Sequence, residues 1–195
     1  AIIGETGSGK STLVQHLNAL LLPTSGEIEI MGNKIVANSK PKNVKALRKQ
    51  VGLVFQFPEY QLFEETIARD IAFGPKNFGV SEEEASQLAK EMLNLVGLDD
   101  TYLERSPFEL SGGQRAQEMM HLFQRMNREF NKTVFIVSHD MEHVLNYCDD
   151  VLVMKDGSVY KFCSVKDFFS DITILNELKI NPPAVIAMRE ALNQR

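Results

Sequence analysis

A chain of 195 residues with 44% hydrophobic content has the apolar material for one sizeable core and a small inserted subdomain. Its 26 acidic against 21 basic residues give a formal charge of -5, which argues against a nucleic-acid surface, since that requires a phosphate-neutralising excess of Lys and Arg. Cys148 and Cys163 stand alone, without the spacing of a disulfide framework or a metal site, and fit a reducing cytosol. No apolar stretch approaches the ~20 residues that span a bilayer, and "AIIGETG" is no secretory leader, so a membrane role is expected to be peripheral.

In chain order, "AIIG" reads as the last residues of a buried strand. "ETGSGKSTLVQHLNALL" then turns on glycines into a helix with Leu13, Leu17, Leu20 and Leu21 at helical spacing. "SGEIEIMGNKIV" alternates apolar and polar residues around a Gly-Asn turn and predicts a hairpin. The one basic run, "SKPKNVKALRKQ" from Ser39, reads as a solvated loop and helix face. "VGLVFQ" predicts a short buried strand. From Glu64 to Gly113 the texture is helical, with "SEEEASQLAKEMLNLVG" showing a Ser81 cap, an acidic first turn and a Gly97 stop. "TVFIVSHD" and "DVLVMKDGSVYKF" predict strands, the second with a Lys-Asp-Gly turn. The tail beyond Asp171 predicts helix up to Pro182 and Pro183.

The strongest chemistry lies in "GETGSGKST", where Gly4, Glu5, Thr6, Gly7, Ser8, Gly9, Lys10 and Ser11 satisfy G-x-x-x-x-G-K-[ST] between a strand and a helix, and Thr12 follows. Gly7 and Gly9 permit turns that aim backbone N–H groups at anionic oxygens, and the helix start adds its positive dipole end. Lys10 would reach the β- and γ-phosphates of a bound nucleotide, and Ser11 would supply a hydroxyl to Mg²⁺. A second glycine turn opening a helix, Leu110, Ser111, Gly112, Gly113 and Gln114, can also present N–H groups to a phosphate. Gln56 and His139 end two predicted parallel strands, where α/β sheets place ligands. His16, His121 and His143 read as structural residues of helices.

Together, "GETGSGKST", "VFQFPEYQLFEETIARDIAFGP", "SPFELSGGQ" and "VFIVSHDM" resemble the ATP-binding subunits of ABC transporters over nearly the whole chain. Within that family "FPEYQLFEETIARDIAFGPKNFG" and "SVKDFFSDITILNEL" resemble the energy-coupling-factor branch. The resemblance implies an α/β fold of the P-loop NTPase (ABC ATPase) type: a mainly parallel sheet flanked by helices, an antiparallel hairpin region and an inserted helical subdomain. The implied organisation is a single domain, 1–195, with core parts at 1–56 and 116–168, the helical subdomain with its LSGGQ at 57–115, and a tail at 169–195. It further implies ATP hydrolysis that powers uptake of a vitamin or metal ion from the cytoplasmic face of the membrane. The implied partners are a second ABC ATPase subunit in a head-to-tail dimer, a transmembrane coupling subunit and a substrate-specific membrane subunit. By position, Gln56 would sense the γ-phosphate and Mg²⁺, His139 would contact the γ-phosphate, and Ser111 to Gln114 would serve the partner's nucleotide. Phe57 to Thr66 would dock a helix of the transmembrane partner.

The family pattern also includes a strand ending in Asp-Glu between LSGGQ and the His, and strands before the phosphate loop that carry an aromatic for adenine. Neither is found in this sequence. The 28 positions from Ser111 to His139 hold one helix and one strand, roughly 30 residues short of a further strand-and-helix unit, and the gap is expected near Arg115 and Ala116. Two alternatives therefore stand beside a transport ATPase: a non-hydrolysing subunit that supports a catalytic partner, and a soluble ABC ATPase outside transport.

Overall fold

The computed structural model describes residues 1–54, 61–109 and 115–193, which form two compact units, residues 1–14 with 119–195 and residues 15–118. The first unit is built on a three-stranded sheet in the order β1-β4-β5, with β1 at Ile2–Ile3, β4 at Asp150–Lys155 and β5 at Ser158–Ser164. β1 runs parallel to β4, with Ile2 opposite Leu152 and Ile3 opposite Val153. β4 and β5 form an antiparallel hairpin whose register shifts between Val153 and Met154. Asp156 and Gly157 close it, both at positive φ, the backbone that a two-residue turn between right-twisted strands requires.

One face of this sheet supplies the core. Ile3, Val151 and Val153 are buried with Val144 of helix α6 (Met141–Tyr147) and with Val165, Phe168 and Phe169 of α7 (Val165–Ser170). Helix α8 (Ile172–Glu177) adds Ile174 and Leu175, and Leu178 follows it into the same cluster. Burying side chains of this size contributes roughly 1.5–3 kcal/mol each. Three caps sharpen the helix starts: Asp140 accepts from the N–H groups of Glu142 and His143, Ser164 from Asp167, and Asp171 from Ile174. The tail ends in α9, Ala184–Asn193.

The second unit contains a two-stranded antiparallel sheet, β2 (Glu27–Ile30) with β3 (Asn33–Val36), and helix α2 (Val44–Gln50). Ala19, Ile35 and Leu47 form their small shared core. Helices α3 (Ile67–Asn77) and α4 (Glu82–Leu95) pack through Ile67, Leu93 and Leu103. The hydroxyls of Thr66 and Ser81 accept from the N–H groups of Arg69 and Glu84 and so begin these two helices.

Four local expectations need correction. Helix α1 is Lys10–Leu17 and ends there, because Ala19 takes a left-handed conformation that breaks the helical spacing, so Leu20 and Leu21 lie outside it and are exposed. The β2–β3 turn is Met31-Gly32, both at positive φ, with Asn33 already paired opposite Ile30. Residues 51–54 of "VGLVFQ" form no strand, and its remaining residues lie outside the described ones. "TVFIVSHD" is not a strand either: Val137 makes a single parallel bridge to Ile2, and the Ile2 N–H donates to the Ile136 carbonyl at 2.8 Å. The segment has β1 on one side, while Phe135 and Val137 stay 57% and 39% exposed. Its contact with β1 is confined to Ile2, itself part of a strand of only two residues, so the ladder is too short to fix the backbone of the segment as a strand.

Candidate functional site

The phosphate loop hangs between the end of β1 and the start of α1, and its conformation is imposed by close packing at Gly4. This residue has φ 147, and a Cβ there would stand 2.2 Å from the Met154 carbonyl oxygen and 2.8 Å from Ser8 Oγ. Gly7 and Gly9 follow at φ 85 and 97, in the left-handed region where glycine is favoured. Between them the chain folds back on itself. The Ser8 N–H donates to the Glu5 carbonyl at 3.1 Å, and the Gly157 N–H, in the β4–β5 turn, donates to the Ser8 carbonyl at 3.2 Å. The Leu13 N–H donating to the Gly9 carbonyl then starts the helical ladder.

Lys10 is buried and turned inward. Its Nζ donates to the carbonyls of Gly4 and Glu5, both at 2.8 Å, so the ammonium occupies the hollow of the loop. Burial pushes its pKa below the usual lysine value, which raises the free energy of the charged form and favours an anionic partner. Ser8 is 5% exposed, and its Oγ has no hydrogen-bond partner. A buried hydroxyl without a partner costs about 1–3 kcal/mol, a cost that a phosphate oxygen in the loop would relieve. Glu5, Thr6 and Gly7 stay exposed on the loop, as do Ser11 and Thr12 on the first turn of α1. These residues fit the phosphates of ATP: a charged donor, successive N–H groups at a helix start and an unsatisfied buried hydroxyl.

The fit to Mg²⁺ is thinner. Ser11 supplies one exposed hydroxyl, and among the described residues no group of three or more His, Cys, Asp and Glu could hold a metal ion. A magnesium ion here would be held mainly by the nucleotide and water. Gln56, the other expected metal contact, lies outside the described residues, as do Leu110, Ser111, Gly112, Gly113 and Gln114.

His139 is brought to the loop. It lines a cavity of about 520 Å³ together with Ile3, Gly4, Glu5, Ser138 and Asp140. It is exposed, and its neighbours are locked: Ser138 Oγ accepts from the Asp140 N–H at 3.0 Å, and the Asp140 carboxylate caps α6. The far wall of the cavity is the tail, Leu178 to Ala184, which sequence reading did not place at the site. A Glu142 carboxylate oxygen accepts from the Ala184 N–H at 3.1 Å and fastens the start of α9 to α6, across 42 positions of sequence. The Pro182-Pro183 break was its only local signal. Met154 and Gly157, which brace the loop from β4 and its turn, were also missed, because no motif marks a backbone carbonyl as a packing partner.

Comparison with known proteins agrees with this geometry. The profile of the family described as ABC transporter matches residues 1–132. The energy-coupling factor transporter ATP-binding protein EcfA2 of Enterococcus faecalis is 46% identical over an alignment that covers 98% of this chain and 76% of that protein. The EcfA2 of Spiroplasma kunkelii is 45% identical over 225 aligned residues, covering 100% of this chain and 74% of that protein. Among solved structures, cbiO1 from Clostridium perfringens, described as part of the ABC transporter complex cbiONQ, superposes with a TM-score of 0.75 at 29% identity. That match covers 97% of this chain and 86% of cbiO1. The α/β architecture with its phosphate loop and the extent of these matches lead to one conclusion: the chain belongs to the ABC transporter family of ATP-binding proteins.

Proposed function

We propose that this chain is the ATP-binding subunit of an energy-coupling-factor transporter, peripheral to the membrane, in which ATP drives uptake of a vitamin or metal ion. ATP hydrolysis coupled to transport is the work of its family, and its curated relatives are named as energy-coupling-factor ATP-binding proteins. The observation that carries the reading is the loop from Gly4 to Thr12, where buried Lys10 and the partnerless Ser8 Oγ await anionic oxygens. Lys10 would exchange two carbonyls for the β- and γ-phosphates, the loop N–H groups would hold the remaining oxygens, and His139 would face the γ-phosphate across the cavity. A Mg²⁺ ion held by the nucleotide would supply charge neutralisation there. Gln56, with Ser11, would meet that ion. Leu110 to Gln114 would close over the nucleotide of a second ATPase subunit in a head-to-tail dimer. The membrane partners are a transmembrane coupling subunit and a substrate-specific subunit, and the cbiONQ complex of the structural relative supports such an assembly. Phe63 and Phe73, an edge-to-face pair with centroids 4.7 Å apart and both rings exposed, support the stretch ending at Thr66 as the docking place for a coupling helix.

A second reading concerns turnover. We propose that the chain binds ATP and contributes to a catalytic partner while hydrolysing little itself, because no Asp-Glu follows an apolar run between Gln114 and His139. The alignment with the Spiroplasma relative spans 225 positions against the 195 residues here, a difference of about the length of one strand-and-helix unit. Among the described residues the 135–137 segment is bridged to β1 alone, and such a strand would pair on its other side.

Titration calorimetry with Mg-ATP tests the first reading. The expected result is weak binding to the unmodified chain and none to Lys10→Ala. Equal affinity for both would overturn it.

A further inference from the structure

The basic run of α2 does more than solvate a helix. Between Glu29 and Glu59 the sequence holds no acidic residue and six Lys or Arg, in a chain whose net charge is -5. Lys34 is paired with Glu27 at 2.7 Å, but Lys42, Lys45 and Lys49 make no ion pair among the described residues and are exposed. On α2, Lys45, Arg48 and Lys49 fall within an arc of about 100°, and Leu47, buried in the small core, points the other way. No acid stands on β3 or on the turn after α1, the elements packed against this helix; Glu27 and Glu29 of β2 both act on Lys34.

The cationic face is joined to an apolar one. The Arg48 guanidinium donates to the carbonyls of Asn18 at 3.2 Å and Ala19 at 2.8 Å, which ties α2 to the turn where Leu20, Leu21 and Leu22 emerge. These three consecutive leucines are 46%, 39% and 45% exposed. Exposed leucines beside unpaired lysines form the pattern that inserts into the boundary between headgroups and acyl chains of an anionic bilayer.

We propose that this face, α2 with the Leu20–Leu22 turn, docks onto an anionic phospholipid membrane. Charge complementarity selects the occupant. Nucleic acid would also satisfy the lysines, but single strands need stacking aromatics, and Ile30 to Val54 contains none, while leucines gain nothing from phosphate. None of these residues belongs to the phosphate loop, so docking needs no nucleotide and stands apart from the transport reading.

Co-sedimentation of the chain with vesicles of phosphatidylcholine alone, or mixed with equal phosphatidylglycerol, tests the proposal. Binding to the mixed vesicles is expected to exceed that to neutral ones by about tenfold and to fall with added salt. The triple variant Lys42→Glu, Lys45→Glu, Lys49→Glu should bring it to the neutral level with ATP calorimetry unchanged. Leu21→Ser with Leu22→Ser should weaken it while leaving the charge intact. Equal binding to both vesicles, insensitivity to either variant, or competition by a single-stranded oligonucleotide would overturn the proposal.

Discussion

At Gly4 a single hydrogen decides whether the phosphate loop can form. The Met154 carbonyl lies 2.2 Å from the position of an added Cβ, and that carbonyl belongs to a sheet strand that cannot give way. Gly4→Ala is expected to destabilise the chain by about 3 kcal/mol, the upper part of the usual cost of overpacking, read as a lower denaturant midpoint with unchanged slope. ATP binding should fall with it. Gly7 has open space around its α-carbon, so a substitution there costs backbone strain at φ 85 alone and should be milder. The spacing of Gly4, Gly9, Lys10 and Ser11 was legible because a motif encodes it. The burial of Ser8 was not, since a serine in a glycine turn is ordinarily solvated, and β4 and its turn enclose this one.

Among elements, α8 shows how the tail is held and what acid should do to it. Asp171, its cap, accepts from Lys161 of β5 at 2.9 Å, and Glu177 at its end accepts from Lys155 at 2.8 Å and from the Tyr160 hydroxyl at 2.6 Å. These hydrogen bonds hold both carboxyls below the usual carboxylate range, chiefly Lys161 for Asp171 and Lys155 for Glu177. A carboxyl with a depressed folded pKa contributes stability that is present above its unfolded value of about 4 and lost as pH falls through the folded one. Below about pH 4, α8 should therefore loosen from β5, seen as faster amide exchange at residues 172–178. In the Lys155→Ala, Lys161→Ala variant that acid response should be largely absent. The same lysines are raised above their usual value, so their contribution holds at neutral pH and fades only as pH rises through the folded pKa. The helix caps at Ser81 and the hairpin of "DVLVMKDGSVYKF" were readable, because both are local. The strand expected at "TVFIVSHD" was not realised, because a strand is completed by its neighbours.

For the molecule as a whole, the proposal that the chain hydrolyses little for want of a strand ending in Asp-Glu predicts what adding such a segment would do. Inserting a unit of roughly 30 residues, an apolar strand ending in Asp-Glu with its helix, between Arg115 and Ala116 should convert the 135–137 segment from a single bridge to a paired strand. It should raise the melting temperature by several degrees and give ATPase activity in the presence of a partner ATPase. On the same proposal, His139→Ala in the unmodified chain should leave the rate unchanged, since residues that act as a unit lose their effect when one of them is absent. Phosphate release measured on the chain, on the His139→Ala variant and on the extended form distinguishes these outcomes. A tenfold fall on His139→Ala in the unmodified chain would mean that hydrolysis survives without the Asp-Glu.

The sequence by itself determined whatever a short run of residues can specify. That includes the phosphate loop, because glycine freedom, a lysine and a helix start suffice to build an anion cradle. It includes the caps and two hairpins, whose bonds close within a few residues, although the β2–β3 turn fell one residue earlier than read. It also includes the family, because four motifs in fixed order are improbable by chance. Tertiary structure decided what depends on distant partners. Met154 and Gly157 reach the loop only because β4 pairs with β1 across about 150 positions, and the tail reaches His139 only through the Glu142–Ala184 bond. The segment from 133 to 137 has the β-branched and aromatic residues of a strand, yet strand formation requires an extended ladder with a neighbour, and among the described residues this segment has one bridge, to the two-residue β1.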